Sequence, residues 1–270
     1  MTFSDLEINK RVEVINRIYD ETGIIQQVIE KDWWVTMTLR ALFETSCANF
    51  LVFKGGTSLS KGWGLIERFS EDIDVAISRD FFGITNVSSK NQRDKLRKLS
   101  SKYVQEKLML DLEEKLKNAG ISGFMLEVEP TESSDTDPRV LYVHYKTLFP
   151  ENAYLLAHVK IEISCRSLRE PFEPLKMRSM IAENYPDQPF ADKSFTANTV
   201  SPKRTFLEKA FLLHEALQRG RTKITRMTRH LYDLHKLMDT KFAEDALADT
   251  DLYKKNYCSA PFCDDTRKRC

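Results

Sequence analysis

The stretch Phe53–Ser78, FKGGTSLSKGWGLIERFSEDIDVAIS, carries two adjacent glycines and, after a short segment, two aspartates one residue apart. It begins at the end of an apolar run typical of a strand, and Gly55 and Gly56 stand where a short helix would start. Because glycine has no Cβ, backbone amides at such a turn can approach an oxyanion, and the helix N-terminus adds a favourable dipole. Gly-Gly before a helix is also common in ordinary tight turns. The pair predicts a phosphate cradle only in combination with the residues that follow it.

Two aspartates open the next apolar strand. Asp72 and Asp74 are two residues apart, so both carboxylates project from one face of the strand, whereas Ile73 and Val75 point into the core. Neighbouring carboxylates repel each other unless a divalent cation lies between them. Asp-x-Asp is weak evidence by itself, since acids are common at exposed strand ends, and a third acid is the useful test.

That third acid is Glu162, within HVKIEIS at 158–164. The alternation places Glu162 and Lys160 on the polar face of a strand whose other face belongs to the core. If this strand neighbours the one that carries Asp74, three carboxylates converge as ligands for the metal ions of phosphoryl or nucleotidyl transfer. The alternative is a solvent-facing glutamate beside a lysine.

The hydrophobic period changes along the chain and divides it into three parts: a helical lead-in over 1–47, an α/β core over 48–170 and a C-terminal helical portion over 171–270. The core contains short β-rich runs and one long charged helix at 91–118, which predicts a mixed sheet with helices on it. In the last part, an irregular proline-rich stretch over 171–201 precedes two helices. The predicted fold class is α+β.

Composition limits the partners. The chain has 270 residues, with 41 basic and 40 acidic side chains, so its net charge of +1 indicates no polyanion and any nucleic-acid surface must be local. The charged N-terminus and the lack of a long apolar run predict neither a signal peptide nor a membrane partner. Five scattered cysteines indicate no disulfide framework, so we expect a cytoplasmic protein.

Several motifs together resemble one family. They are EKDWW in the lead-in, FKGGTSLSK followed by RFSEDIDV, then SPKRTFLEK and RHLYDLHKL, in this order from about Glu30 to Leu237. This combination resembles the AbiEii/AbiGii toxin nucleotidyltransferases, which belong to the DNA polymerase β-like nucleotidyltransferase superfamily and are the toxic halves of type IV toxin–antitoxin and abortive-infection systems. The resemblance implies a polymerase β-like core, N-terminal helices and a C-terminal helical bundle that helps to bind nucleotide.

The resemblance also implies roles for single residues. The glycine motif is Gly55, Gly56 and Thr57, the metal-binding acids are Asp72 and Asp74, and Lys209 and Asp233 complete the catalytic set. It implies Mg²⁺ or Mn²⁺ as cofactor, a nucleoside triphosphate as substrate and a cognate antitoxin as partner. From the residues alone, Lys209 in an apolar helix needs a path to solvent or an anion, and an intrahelical pair with Arg229 explains Asp233 equally well.

Further substrate contacts are predicted around these motifs. Ser70 would lie beside the metal and phosphates, and Arg68 and Lys61 could reach the same phosphates, although a turn serine and two solvated cations are the alternatives. The segment 219–229 has no acid, so its basic side chains are candidate RNA contacts, chiefly Arg221, Lys223 and Arg226. Most basic patches are simply solvated faces.

The predicted function is metal-dependent transfer of a nucleoside monophosphate to an RNA end, with the 3′ end of tRNA as the favoured acceptor, which would block translation. One alternative is nucleotidyl transfer to a small molecule or a protein hydroxyl. Another is a catalytically idle nucleotide- or RNA-binding module, against which the intact acids and Lys209 argue. A glycosyltransferase is disfavoured because no Rossmann-like alternation of strand and helix precedes the glycine motif.

Overall fold

Seven strands form a single mixed sheet in the computed structural model, which describes residues 1–84, 87, 89–150, 155–165, 170–218 and 224–259, with side chains left out at 224–226 and 255–259. The strands are β1 (Leu51–Lys54), β2 (Ile73–Ile77), β3 (Phe124–Val128), β4 (Arg139–Tyr145), β5 (His158–Ser164), β6 (Phe172–Met177) and β7 (Phe195–Val200). Their spatial order is β3-β4-β5-β2-β1-β7-β6. The two strands that carry the predicted acids are therefore neighbours near the middle of the sheet.

The sheet contains both parallel and antiparallel pairs of strands. β2 pairs antiparallel with β1 and parallel with β5, and β1 also pairs parallel with β7. β4 is antiparallel to both β3 and β5, and β6 is antiparallel to β7. The predicted mixed sheet and the α+β class are confirmed.

Helices surround the sheet in three groups along the chain. They are α1 (Ile8–Thr22), α2 (Gln26–Leu42), α3 (Gly55–Thr57, continued by a π-turn over Ser58–Gly62), α4 (Lys90–Tyr103), α5 (Met109–Asn118), α6 (Met180–Asn184), α7 (Pro202–Gln218), α8 (Ile224–Met238), α9 (Lys241–Ala248) and α10 (Thr250–Ser259). A π-turn over Val104–Leu108 joins α4 to α5, so the long charged helix is present as predicted. Within the described residues, no helix combines the length and the apolar character that a membrane span requires.

The main core lies between one face of the sheet and the helices α1, α2 and α5. Ile73 and Val75 of β2 are fully buried in it, as are the apolar residues of β5, Val159, Ile161 and Ile163. The polar residues of the same two strands therefore project from the opposite face, as the alternation predicts. That opposite face carries the candidate site.

A second core joins the C-terminal helices to the segment that follows β1. Leu59 and Ile66 pack there with Phe206 and Leu207 of α7 and with Leu237 of α8. Apolar residues of α9 and α10 complete this core. The C-terminal helices are thus held against the glycine motif by hydrophobic contact.

The sequence predicts an irregular stretch over 171–201. This prediction is wrong, because the stretch contains β6, α6 and β7. β6 is the edge strand of the sheet, and a proline such as Pro174 is tolerated in an edge strand. Because prolines weaken the strand pattern, the alternation of these residues is hidden in the sequence. The division of the chain at residues 47 and 170 stays a prediction.

Three consecutive charged residues in α2 are buried: Glu30, Lys31 and Asp32. Each one binds partners from distant segments. Glu30 accepts from the Thr147 hydroxyl at 2.7 Å and from the Leu148 amide at 2.9 Å. Lys31 binds Glu71 at 2.5 Å and donates to the Leu156 carbonyl at 2.9 Å. Asp32 accepts from Lys61 and from the Met180 amide, both at 2.7 Å. Buried charges are tolerated when they are paired and hydrogen-bonded in this way. α2 is therefore tied to the segment between β1 and β2, to the connection between β4 and β5 and to the start of α6.

Candidate active site

A cavity of about 810 Å³ opens on the polar face of the sheet. Its floor is formed by Lys54 of β1, Asp74 of β2 and the polar residues of β5, and its walls come from the glycine turn, α7 and α8. Its size lies within the usual range of small-molecule pockets. Both halves of the predicted site, the sheet acids and the C-terminal helices, contribute to it.

The three predicted acids line this cavity together. Asp74 lies opposite Glu162 in the parallel register of β2 and β5, and Asp72 directly precedes β2. Burial raises the pKa of Asp74, and the charges of Glu162 and Asp72 raise it further. The pKa of Asp72 is also raised, by burial and by neighbouring Glu71. The structure thus concentrates negative charge where a cation would relieve it.

The side chains of Asp72 and Asp74 have no hydrogen bond or ion pair with any other described residue. Two carboxylates that bind no other described side chain supply the hard oxygen donors that Mg²⁺ and Mn²⁺ prefer, so these residues fit such an ion. Glu162 binds Lys160 at 2.5 Å. In the described part of the chain, no group of three His, Cys, Asp or Glu side chains is arranged to hold a metal ion. The third ligand therefore stays a prediction.

Charged side chains lie close to the two glycines. Gly55 has φ +78°, and a Cβ on it would lie 2.0 Å from Asp74 Oδ2. A Cβ on Gly56 would lie 2.7 Å from Arg68 Nη2 and 2.9 Å from Ser70 Oγ. Backbone conformation and packing therefore demand glycine at position 55, whereas a Cβ at position 56 would require the Arg68 and Ser70 side chains to shift. Both glycines also line the cavity.

Thr57 is not among the residues that line the cavity, and its contact with substrate stays a prediction. Its buried hydroxyl donates to the Asp72 carbonyl at 2.5 Å and lies 2.9 Å from Ser70 Oγ. Thr57 therefore holds the backbone that precedes β2 and positions Asp72. Ser70 lines the cavity, and its position beside a metal ion and phosphates stays a prediction.

Asp233 is fully buried between two cations. Its carboxylate accepts two hydrogen bonds from Arg68, both at 2.7 Å, and binds Lys209 Nζ at 2.8 Å. Burial alone would raise the pKa of Asp233, but the hydrogen bonds from Arg68 and the charge of Lys209 outweigh it and lower this pKa. The catalytic pair that the family resemblance implies is thus in contact. The anion that Lys209 requires is supplied by the protein itself.

Lys61 does not reach the cavity, although the sequence suggests it as a phosphate contact. Its ammonium binds Asp32 at 2.7 Å and donates to the Arg178 carbonyl at 3.1 Å. Arg68 does line the cavity, with its guanidinium engaged by Asp233. Lys61 and Arg68 are therefore both held by buried carboxylates, those of Asp32 and Asp233.

The basic segment cannot be placed in the same way. Arg221 and Lys223 lie outside the described residues, and Arg226 belongs to α8 without a described side chain. Their contact with RNA stays a prediction.

Sequence reasoning missed several cavity residues: Lys31, Tyr142, His158, Lys160 and Glu208. The alternation of HVKIEIS places His158 and Lys160 on the face of Glu162, so this pattern could have indicated both. Tyr142 becomes visible only through the register of β4 and β5, which sets it opposite Lys160. Glu208 directly precedes Lys209. Burial alone would raise the pKa of Glu208, but the positive charge of Arg204 outweighs burial and lowers this pKa.

A family model described as the nucleotidyl transferase AbiEii toxin of type IV toxin–antitoxin systems matches residues 38–260. The matched range contains the glycine turn, the three acids, Lys209 and Asp233. A search of curated proteins finds no match to the chain.

Replacing Asp233 with asparagine should destabilise the protein strongly. Asp233→Asn leaves Arg68 and Lys209 buried without an anion, and breaking a buried ion pair costs about 3–5 kcal/mol of unfolding free energy. Urea unfolding at pH 7 measures this loss. Because the folded-state pKa of Asp233 is lowered, its contribution is present above about pH 4 and disappears as the pH falls through the folded-state pKa, so the two proteins should converge in acid.

Lys10→Gln is the matched control, since it breaks an exposed pair with Glu13 on α1 and should barely change the urea midpoint. Equal midpoints for Asp233→Asn and the unmodified protein would contradict the bracing role of Asp233.

The close approach at Gly55 predicts a second difference. Gly55→Ala and Gly64→Ala both place a side chain on a left-handed backbone, at φ +78° and +63°, which costs about 1–2 kcal/mol. A Cβ on Gly64 meets nothing within 4 Å, whereas a Cβ on Gly55 would also meet Asp74 Cγ at 2.8 Å and Cβ at 3.0 Å. Thermal unfolding should therefore show a larger loss for Gly55→Ala.

The excess loss should shrink in an Asp74→Ala background, which removes the closest atoms. Equal losses of melting temperature for Gly55→Ala and Gly64→Ala in the unmodified background would contradict this prediction. They would mean that the contact with Asp74 is not what requires glycine at position 55.

Proposed function

Because the chain belongs to the AbiEii family of nucleotidyl transferase toxins of type IV toxin–antitoxin systems, we propose that it transfers a nucleoside monophosphate from a nucleoside triphosphate to an RNA end. The 3′ end of tRNA is the acceptor we favour, and arrest of translation is the expected outcome. The observation that carries this proposal is the pair of unpartnered carboxylates, Asp72 and Asp74, beside a glycine turn and within one cavity with Lys209.

Asp72 and Asp74 would hold Mg²⁺ or Mn²⁺, with Glu162 as a third ligand, and the bound ion would neutralise charge on the triphosphate. Gly55 and Gly56 line the cavity, and their amides would donate to phosphate oxygens. Lys209 stands at the same wall and adds positive charge. Lys160 holds Glu162 in place at the acceptor side of the site.

In the proposed reaction, a hydroxyl oxygen of the acceptor attacks the α-phosphorus of the nucleotide. The new O–P bond forms as the bond from the α-phosphorus to the bridging oxygen breaks, and pyrophosphate leaves. The hydroxyl proton passes to a carboxylate of the cavity. The glycine amides and Lys209 stabilise the negative charge of the departing pyrophosphate.

RNA is favoured as the acceptor by the basic segment 219–229, an acid-free run in a chain of net charge +1. The family places this toxin in a system with an antitoxin, so a cognate antitoxin is a proposed partner. Cys47 and Cys165 are buried, and neither forms a disulfide within the described residues. A cytoplasmic location stays a prediction.

Loss of either aspartate should abolish transfer. Purified protein is incubated with each α-labelled nucleoside triphosphate, Mg²⁺ and total RNA, and label in RNA is measured. Asp72→Ala and Asp74→Ala should lose at least about a thousandfold in rate, because each removes a ligand of the ion that neutralises the phosphates. Chelation by EDTA should have the same effect, and added Mg²⁺ or Mn²⁺ should restore transfer.

Asp187→Ala removes an exposed aspartate outside the cavity and should transfer normally. Normal labelling by Asp72→Ala or Asp74→Ala would remove the metal assignment. Label that appears in a small-molecule or protein fraction, and never in RNA, would favour the alternative acceptors.

Replacing Arg221, Lys223 and Arg226 together with alanine should weaken RNA binding and flatten its salt dependence. Each lost phosphate contact should lower the slope of log K against log salt by up to about one unit. Nucleotide affinity should change much less, since the glycine turn, the aspartates and Lys209 carry the triphosphate. An unchanged salt slope would exclude this segment as the RNA contact.

A further inference from the structure

Three aromatic rings cluster on the polar face of β4 and β5. The ring centroids of Tyr142 and His158 are 4.9 Å apart at an interplanar angle of 77°, and His144 lies 5.8 Å from Tyr142 and 5.5 Å from His158. In a nearly perpendicular contact, one ring presents only its edge, so its partner does not cover its faces. Tyr142 and His158 also line the cavity, together with half-exposed Leu156.

The position of these rings follows from the strand order. β2, which carries Asp74, has β1 and the glycine turn on one side and β5, then β4, on the other. Neighbouring strands are ~4.8 Å apart, so Tyr142 on β4 stands about 10 Å from β2 along the sheet. The glycine turn and the rings therefore occupy opposite sides of Asp74.

This arrangement separates the two substrates of a nucleotidyl transfer. In an in-line displacement, the attacking and leaving oxygens lie on opposite sides of the phosphorus. If the departing pyrophosphate lies at the glycine turn and Lys209, the acceptor must approach from β5 and β4. The aromatic rings stand on that approach.

We propose that Tyr142 and His158 form a stacking site for the terminal base of a single-stranded RNA acceptor. The inference rests on the proposed function and identifies the part of the same cavity that would bind the acceptor. Stacking on an aromatic ring needs a base that is not paired, so the site selects RNA ends over duplex. It tolerates different bases, since every base has a π-face.

The surroundings of both rings suit this role. The Tyr142 hydroxyl donates to Glu129 at 3.1 Å, which fixes the ring orientation on β4. Burial and the charge of Lys31 lower the pKa of His158, so its ring is uncharged at neutral pH. Lys31 and Lys160 also line the cavity, where they are paired with Glu71 and Glu162.

The competing explanation is that these rings only stabilise the sheet, since aromatic cross-strand pairs contribute to sheet stability in many proteins. The two explanations differ in what a ring deletion changes. Packing alone predicts a lower melting temperature and unchanged RNA affinity, whereas a stacking site predicts weaker RNA binding by a folded protein.

The probe is an RNA oligonucleotide whose single-stranded 3′ end carries 2-aminopurine, the fluorescence of which is quenched on stacking. Titration with the unmodified protein should quench the signal. Tyr142→Ala should bind about 5- to 150-fold more weakly, as expected for the loss of about 1–3 kcal/mol of stacking. Tyr142→Phe keeps the ring and should recover most of the affinity. The dissociation constant for nucleoside triphosphate should not change.

Tyr19→Ala is the matched control, since it removes a partly exposed tyrosine on α1, outside the cavity. Thermal unfolding of every variant guards against loss of fold, and His158→Ala tests the same site from the other ring. In the transfer assay, Tyr142→Ala should raise KM for RNA much more than it lowers kcat.

Two failures are distinguishable. If the unmodified protein labels RNA but Tyr142→Ala and His158→Ala bind and quench the probe normally, the stacking site is overturned and the proposed function stands. If the unmodified protein labels no RNA and quenches no probe, the RNA acceptor itself is wrong, and the stacking site falls with it.

Discussion

The carboxylate of Asp233 is the contact on which the cavity depends. It holds Arg68, from the segment after the glycine turn, and Lys209, from α7, while it belongs to α8 itself. Desolvated cations are stable only beside an anion, so these three segments are confined to one arrangement. Arg68 in turn packs against Gly56, which transmits the position of the C-terminal helices to the turn. The walls of the site are therefore set by a buried charge and not by the sheet alone.

The sheet contributes the opposite kind of constraint, because it holds like charges together. The register that pairs Lys54 with Asp74 and Asp74 with Glu162 leaves no freedom to separate the acids, and the tight approach of Gly55 blocks retreat of Asp74 towards the turn. Burial and mutual repulsion raise the pKa of Asp74 and thereby cost stability. The fold spends stability at the floor of the cavity and recovers it through packing elsewhere, as sites built for binding commonly do.

Periodicity in the sequence indicated which face of a strand is buried, and it was therefore reliable for Ile73, Val75 and the apolar residues of β5. Periodicity could not indicate which side chains from distant segments contact each other. The attachment of Lys61 to Asp32 depends on how α2 packs, and the proximity of Tyr142 and His158 depends on the pairing of β4 with β5. The family resemblance supplied Lys209 and Asp233, whose contact joins two helices that no local pattern relates.

The placement of β7 has a consequence for the biosynthesis of the protein. β1 lies between β2 and β7, so the strand that leads into the glycine turn gains its second neighbour only after residues 195–200 have left the ribosome. Parallel pairing between such distant segments forms slowly, since a long loop must close first. A nascent chain that has emerged through β5 already carries all three acids but neither the supported turn nor the cationic wall. The candidate site is therefore completed only after the segment that contains β7 and α7 has been made.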